Sequence, residues 1–284
     1  MDKFYQKEEM ISKVNINNDK NNSKFKNKKR LICILLIGMI FFGLIYFLFL
    51  SARSESTRLP LGFVYLKEII PEIQFNLRYA SDENFVGHPI NGYRENVLII
   101  TTEAALGLQK AQSLAKEKEY ELVIYDGYRP QKSVNQFLNW SLDQNDPQIK
   151  KSFYYPRVNK EDSFELGYIA RKSGHTRGST IDLTLIRRGE QVESIIVPIS
   201  RSLRDGSIIY YLNDGTIDMG SSFDLFDEAS HTNSSLVNQI HQQNRMILKD
   251  LMEKSGFNNY DKEWWHFTFK NEPFPQTYFD FDIQ

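Results

Sequence analysis

The chain has 284 residues, of which 41% are hydrophobic and 25% charged, a composition that excludes wholesale disorder. Lysine and arginine total 35 against 36 acids, and so near a balance excludes a nucleic-acid binder working by charge alone. A single cysteine excludes internal disulfides and cysteine-built zinc or iron centres, so a metal site must draw on His, Asp and Glu.

Residues 1–30 hold nine Lys/Arg against four acids, are rich in asparagine and show no hydrophobic period. They read as a basic, disordered, cytoplasmic tail. Leu31–Leu50 carries no charge, and a helix of that length spans about 30 Å, the thickness of a bilayer core. Its apolar residues cover every face, which argues against a buried core helix. Leu50-Ser51-Ala52 is a poor signal-cleavage site, and Cys33 lies too early in the run for a lipoprotein site. The run reads as one transmembrane anchor. Lys28, Lys29 and Arg30 hold the N-terminus in the cytoplasm, which places the rest of the chain outside the cytoplasmic membrane, on the periplasmic or outer-surface side. Residues 51–60 read as a polar stalk, and residues 61–284 as one folded domain without internal repeats.

Within that domain, FVYLKEI (63–69) and IQFNLRYA (73–80) alternate and read as strands. Thr102 to about Lys118 places Ala104, Ala105, Leu108, Ala111 and Ala115 at helical spacing. ELVIY (121–125) reads as a short buried strand ending at Asp126-Gly127, with a helix starting after Pro130. Ile181–Ile186 reads as a strand. Leu236–Lys254 reads as a helix with Val237, Ile240, Ile247 and Leu251 on one stripe, stopped by Gly256. Trp264–Phe269 reads as a late strand. This order predicts an α+β fold, a single domain with a small, mostly antiparallel sheet flanked by helices.

Five histidines are present. His175 lies between Gly174 and Gly178, on a turn that feeds a strand. Seven residues on is Asp182, the one acid in Ile181–Ile186. A carboxylate there must be met by backbone donors, an arginine or a cation. His266 lies among Trp264, Trp265 and Phe267 and reads as half-buried beside a sheet. Two histidines and an aspartate make a three-ligand zinc set with a fourth position open, and Glu263 is a spare carboxylate suited to general-base work. Arg129 follows the buried strand on a turn set by Gly127 and Pro130. Its common reading is a surface arginine, beside which stand a fixed cation for an oxyanion and a structural partner of Asp126. His241, beside Gln242, Gln243 and Asn244, reads as solvated. His231 reads as a residue of a polar loop, and His88 as a loop residue before Pro89.

SGHTRGSTIDLTL (173–185) and EWWHF (263–267) resemble the Ser-x-His-x-x-Gly-x-Ala-x-Asp and Glu-x-x-His signatures of the zinc D,D-peptidases. The resemblance is to the D-alanyl-D-alanine dipeptidase branch, of the VanX type. YASDENFVGHPINGY (79–93), IYDGYRPQKSVNQF (124–137), MGSSFDLFDEASH (219–231) and EPFPQTYFDF (272–281) extend it over nearly the whole domain. It implies one zinc ion per chain held by His175, Asp182 and His266, with Glu263 as catalytic base and Arg129 stabilising the tetrahedral intermediate. It also implies Ser173 as a substrate contact and Asp224 as the group that holds the substrate ammonium. The implied reaction is hydrolysis of the D-Ala-D-Ala dipeptide, and salvage of dipeptide released by wall turnover fits the extracytoplasmic placement. Two alternatives stand beside it: a D,D-carboxypeptidase acting on muramyl pentapeptides, and a non-catalytic zinc-stabilised domain that binds wall peptides. Thr180 replaces the family's alanine. The stretch between Ile186 and Asp218 is longer than in compact members and reads as a hairpin-like insertion that either narrows the cleft or is a surface loop.

Overall fold

The computed structural model describes residues 38–39, 41–46 and 59–284. The tail 1–30, most of the 31–50 span and most of the stalk 51–60 lie outside the described residues. Among the described residues no helix is long and apolar enough to cross a membrane. Residues 59–284 form one compact unit.

Alternation at the start of the domain yields only short strands. β1 (Phe63–Tyr65) gives way at once to helix α1 (Leu66–Ile69), where Leu66 N donates to Leu98 O at 2.9 Å and the ladder ends. FVYLKEI is therefore half strand and half helix. β2 is only Gln74–Phe75. The rest of IQFNLRYA turns into a 3-10 helix, Arg78–Ala80, which carries Arg78 to Asp214 and Tyr79 to Asp224. β3 (Ile99–Thr101) leads into α2 (Thr102–Lys116). β4 (Tyr120–Asp126), α3 (Gln131–Leu142), the short α4 (Lys151–Tyr154) and β5 (Thr180–Arg187) follow. The insertion forms a hairpin of β6 (Val197–Ser202) and β7 (Ile208–Asn213). The chain closes with α5 (Gln239–Lys254), β8 (Phe257–Tyr260) and β9 (Glu263–Phe269).

The main sheet has the order β2-β4-β5-β9-β8. Only β2-β4 is parallel, and the other pairs are antiparallel. The most apolar strands, β4 and β5, take the central places, where both faces are covered. Alternation along β5 sends Ile181, Leu183 and Leu185 to one face, where they join the main core, and Asp182 and Thr184 to the other. α2 packs on β4, α5 packs on β8 and β9, and the two helices touch each other. The α5 stripe differs from the hydropathy reading. Ile240 is exposed, and the buried face is His241, Arg245, Leu248, Leu251 and Met252. His241 is buried rather than solvated, with its Nε2 3.4 Å from Asp218. The hydrophobic pattern mis-phased this helix because two of its buried residues are polar.

The C-terminal segment ties the site-bearing turns together. Phe279 N donates to Thr176 O at 3.0 Å, Gln131 N donates to Phe279 O at 3.0 Å, and Phe281 stacks on Tyr128 with ring centroids 4.1 Å apart.

Leu108, wholly buried on α2, tests this packing. Leu108→Ala should cost about 2–5 kcal/mol, read in urea unfolding as a lower midpoint at unchanged slope. A loss below about 0.5 kcal/mol, the range of surface substitutions, would contradict its core position.

Candidate active site

Antiparallel pairing sets Asp126 opposite Asp182 and Asp182 opposite His266. The three central strands thus align two carboxylates and an imidazole in one row. His175 enters from the turn before β5. Gly178 closes that turn at φ +82°, and a Cβ there would meet Phe63 Cε1 at 2.2 Å, so only glycine fits. His175 Nδ1 hydrogen-bonds Gly127 O at 2.8 Å, which turns Nε2 toward Asp182 Oδ2 at 3.2 Å. From β9, His266 Nδ1 lies 3.1 Å from Asp182 Oδ1. The His175 and His266 rings stand 5.0 Å apart at 80°. One ligand atom from each of His175, Asp182 and His266 falls within 4.8 Å of the others.

Glu263 and His266 are three apart on a strand, which strict alternation would send to opposite faces. They meet at 3.2 Å because β9 bulges: Asn259 pairs with Phe267 while its neighbour Tyr260 pairs with Glu263. Asn259 Nδ2 fills the bulge, donating to Glu263 O at 3.1 Å and His266 O at 3.0 Å.

Arg129 is buried. Its Nε donates to Asp126 Oδ2 at 2.9 Å, its Nη2 lies 3.5 Å from Asp182 Oδ2, and its guanidinium lies 4.8 Å from the centre of the Tyr79 ring. Tyr93 Oη donates to Asp126 Oδ1 at 2.7 Å, so Asp126 fixes Arg129 while being held itself. Ser173 is buried, and its Oγ accepts from His175 N at 3.3 Å. Asp224 is buried at φ +59° and accepts from Tyr79 Oη at 2.8 Å. Thr180 is accommodated by a hydroxyl pair with Thr268 at 2.9 Å and by Gly174, whose missing Cβ would stand 2.4 Å from Thr180 Oγ1.

His175, Asp182, His266, Glu263, Arg129, Ser173 and Asp224 all line one cavity of about 410 Å³, walled also by Tyr79, Phe85 and Phe137. His88 and His231 lie outside it, as does His241. Tyr79, Tyr93, Phe85 and Phe137 were not singled out as individual residues by sequence reasoning. Tyr79, Phe85, Tyr93 and Phe137 do lie inside family-like motifs, and that is the one signal that could have found them. Asp126 reads from the sequence only as a structural partner of Arg129.

The charges are strongly coupled. Burial disfavours the Asp182 carboxylate, yet His175 and His266 hold it well below the usual carboxylate range. Burial likewise opposes the His266 imidazolium, but Asp182 and Glu263 push it up to about 10. Burial raises Glu263, with His266 opposing. Burial also raises Asp224 well above an ordinary aspartate, and Asp182 adds to the shift. His175 Nε2 and Asp182 Oδ1 are sealed from solvent, and neither completes a hydrogen bond of normal geometry. One imidazole nitrogen and one carboxylate oxygen with bonding capacity unspent, converging with the His266 ring, suit a divalent metal.

A model of the family described as D-ala-D-ala dipeptidase matches residues 60–195 and 194–284. The chain belongs to this family. Its break at 194–195 falls at the root of the β6–β7 hairpin. The D-alanyl-D-alanine dipeptidase of Enterococcus faecium is 38% identical over 226 residues, covering 80% of this chain and all of the relative. The dipeptidase of that name from Enterococcus faecalis is 38% identical, covering 78% of this chain and 98% of the relative. That of Streptomyces coelicolor is 36% identical over the same shares. The chain is a metallo-dipeptidase hydrolase.

If His266 is one of the groups that hold the metal, its raised pKa would make metal uptake a proton exchange. A histidine ligand must be neutral, whereas Asp182 and Glu263 favour the charged form of His266 in the metal-free protein. The sign is that of a raised base. Pairing of His266 stabilises the metal-free fold fully below about 6.5, the unfolded value, and is lost as pH climbs through about 10. Calorimetric titration of metal-free protein with zinc at pH 7 should therefore release about one proton per ion, and affinity should fall as pH is lowered. A binding heat independent of buffer ionisation enthalpy would contradict this coupling.

Proposed function

We propose that this metallo-dipeptidase hydrolyses free D-Ala-D-Ala, with one zinc ion per chain held by His175, Asp182 and His266. The observation that supports the dipeptide over longer substrates is Asp224. Its carboxylate is buried in the same cavity as the triad, bonded to Tyr79, and forms no ion pair among the described residues. A buried carboxylate without a cation is costly, and a substrate ammonium supplies one. A muramyl pentapeptide carries an amide where the dipeptide carries that amine, so the D,D-carboxypeptidase reading leaves Asp224 without a task. A binding-only domain has no need of Glu263 and Arg129 beside the triad.

When bound, zinc polarises the scissile carbonyl and lowers the pKa of water to about 7. Glu263 takes a proton from the attacking water and returns it to the leaving amine. Its burial, which raises its pKa, suits both transfers. Arg129, held rigid by Asp126 and Tyr79, presents its guanidinium to the developing oxyanion. Asp224 and Tyr79 anchor the amino end, and Ser173 contacts the substrate from the His175 turn. The charge-free run 31–50 behind Lys28–Arg30 supports a domain tethered outside the cytoplasmic membrane, where it would salvage dipeptide released from the wall.

The decisive assay compares D-alanine release from D-Ala-D-Ala and from a muramyl pentapeptide, with and without chelator. The dipeptide should be cleaved preferentially and in a chelator-sensitive way. Faster cleavage of the pentapeptide would move the protein to the carboxypeptidases. Glu263→Ala should keep zinc and lose turnover, and turnover surviving that change would refute the assignment of the base. Arg129→Ala should lower kcat on the order of 10²–10³-fold.

A further inference from the structure

No side chain that lines the cavity comes from residues 187–217, so the insertion does not narrow the cleft. It is nevertheless bonded closely to the segment that carries Asp224. Leu212 N, on β7, donates to Ser222 Oγ at 2.7 Å. Arg201, on β6, makes paired bonds to Asp218 at 2.7 and 2.5 Å and lies 4.2 Å from the Tyr211 ring centre. Arg157 binds both carboxylate oxygens of Asp227 and also reaches the hairpin turn, at Asp205 Oδ2 (3.1 Å) and Ser207 Oγ (2.8 Å). Leu203 and Ile209 of the hairpin join Leu225, Ala229 and Val237 in a hydrophobic cluster separate from the main core. Leu225 is the residue next to Asp224.

The other side of the segment is held by Arg245 of α5. Its guanidinium donates to Met219 O (2.7 Å), His231 O (2.7 Å), Ala229 O (2.8 Å) and Ser221 Oγ (3.2 Å). All four acceptors are neutral oxygens of residues 219–231, and burial pushes Arg245 down to about 9. Asp224 needs such support. Its φ of +59° is a left-handed conformation that strains a non-glycine residue, and its carboxylate is buried.

We propose that the β6–β7 hairpin determines specificity from outside the pocket: packed on Leu225 and bonded to Ser222 and, through Arg157, to Asp227, it holds Asp224 where it reads a free amino group. The inference rests on the proposed role of Asp224. Ser222 and Arg157 are then positioning residues, and their effect belongs to substrates with a free amine.

The test is a double-mutant cycle on the full-length, zinc-loaded chain, with kcat/KM measured for D-Ala-D-Ala and for N-acetyl-D-Ala-D-Ala. Asp224→Asn removes a charge-assisted bond and should cut the preference for the free amine about 10–100-fold. Ser222→Ala and Arg157→Gln should each cut it about 3–10-fold, through KM for the dipeptide, with kcat and the acetylated substrate little changed. In the Asp224→Asn background neither should lower the preference further, because coupled residues are not additive. Equal losses on both substrates, no change in preference, or a full additional loss in that background would each reduce the hairpin to a structural ornament and overturn the proposal. Should Arg157→Gln fail to fold, the milder Ser222→Ala still completes the cycle. If Asp224→Asn itself leaves the preference intact, the amine-reading role falls first, which separates that failure from a failure of the brace.

Discussion

The carboxylate of Asp182 is the constraint around which the rest is arranged. It sits on the central strand of a sheet, with the carboxylate of Asp126 directly across one ladder. Two buried anions side by side repel strongly and lose their hydration. The fold meets this by converging three cations or potential cations on them: Arg129 from the turn after β4, His175 from the turn before β5, and His266 from the ladder on the other side. Each must arrive with little freedom. This accounts for the glycine at 178, the bond from His175 to Gly127 O, the Tyr93 bond to Asp126 and the C-terminal strap across the two turns. Residues far from the chemistry are thereby enlisted in aligning one charge.

The sequence made some of this visible and hid the rest for identifiable reasons. The ELVIY strand and the alanine-rich helix after Thr102 were legible because only packing decides their pattern. The His175 and Glu263 motifs were legible because their residue types are few and closely spaced. FVYLKEI and IQFNLRYA misled because their alternation has another origin: Leu77 and Tyr79 are buried, Tyr79 to form a wall of the site rather than a strand face. The helix near the end was mis-phased because Arg245 and His241 occupy its buried stripe. Buried polar residues that serve a neighbouring loop leave no hydrophobic signature. Asp126 was ambiguous for the same reason, since a carboxylate three residues before an arginine looks alike whether it only folds the turn or also aims the guanidinium.

The site divides into two mechanical parts. His175, Asp182, His266 and Glu263 stand on β5 and β9 or on a turn clamped to them, and their spacing follows from strand pairing. Ser173 and Asp224, the proposed substrate contacts, stand on loops, which inherit no such spacing. Asp224 shows the consequence: a left-handed, buried aspartate is stable only where its surroundings over-determine it, and here three arginines and a separate hydrophobic cluster do so.

That division bears on how substrate choice can vary in such a scaffold. A change in β5 or β9 displaces Asp182, His266 and Glu263 together, since Asp182 and His266 share a ladder and Glu263 is tied to His266 through the bulge that Asn259 fills. A change in the elements behind residues 219–231 acts first on Asp224, the proposed amine-reading group, and reaches β9 through the bond from Trp264 Nε1 to Ser221 Oγ at 3.0 Å. An insertion placed between β5 and that loop is therefore positioned to act on Asp224, as proposed above, rather than directly on His175, Asp182 and His266. The hairpin is located there, bonded to the loop on one side while lining none of the cavity on the other.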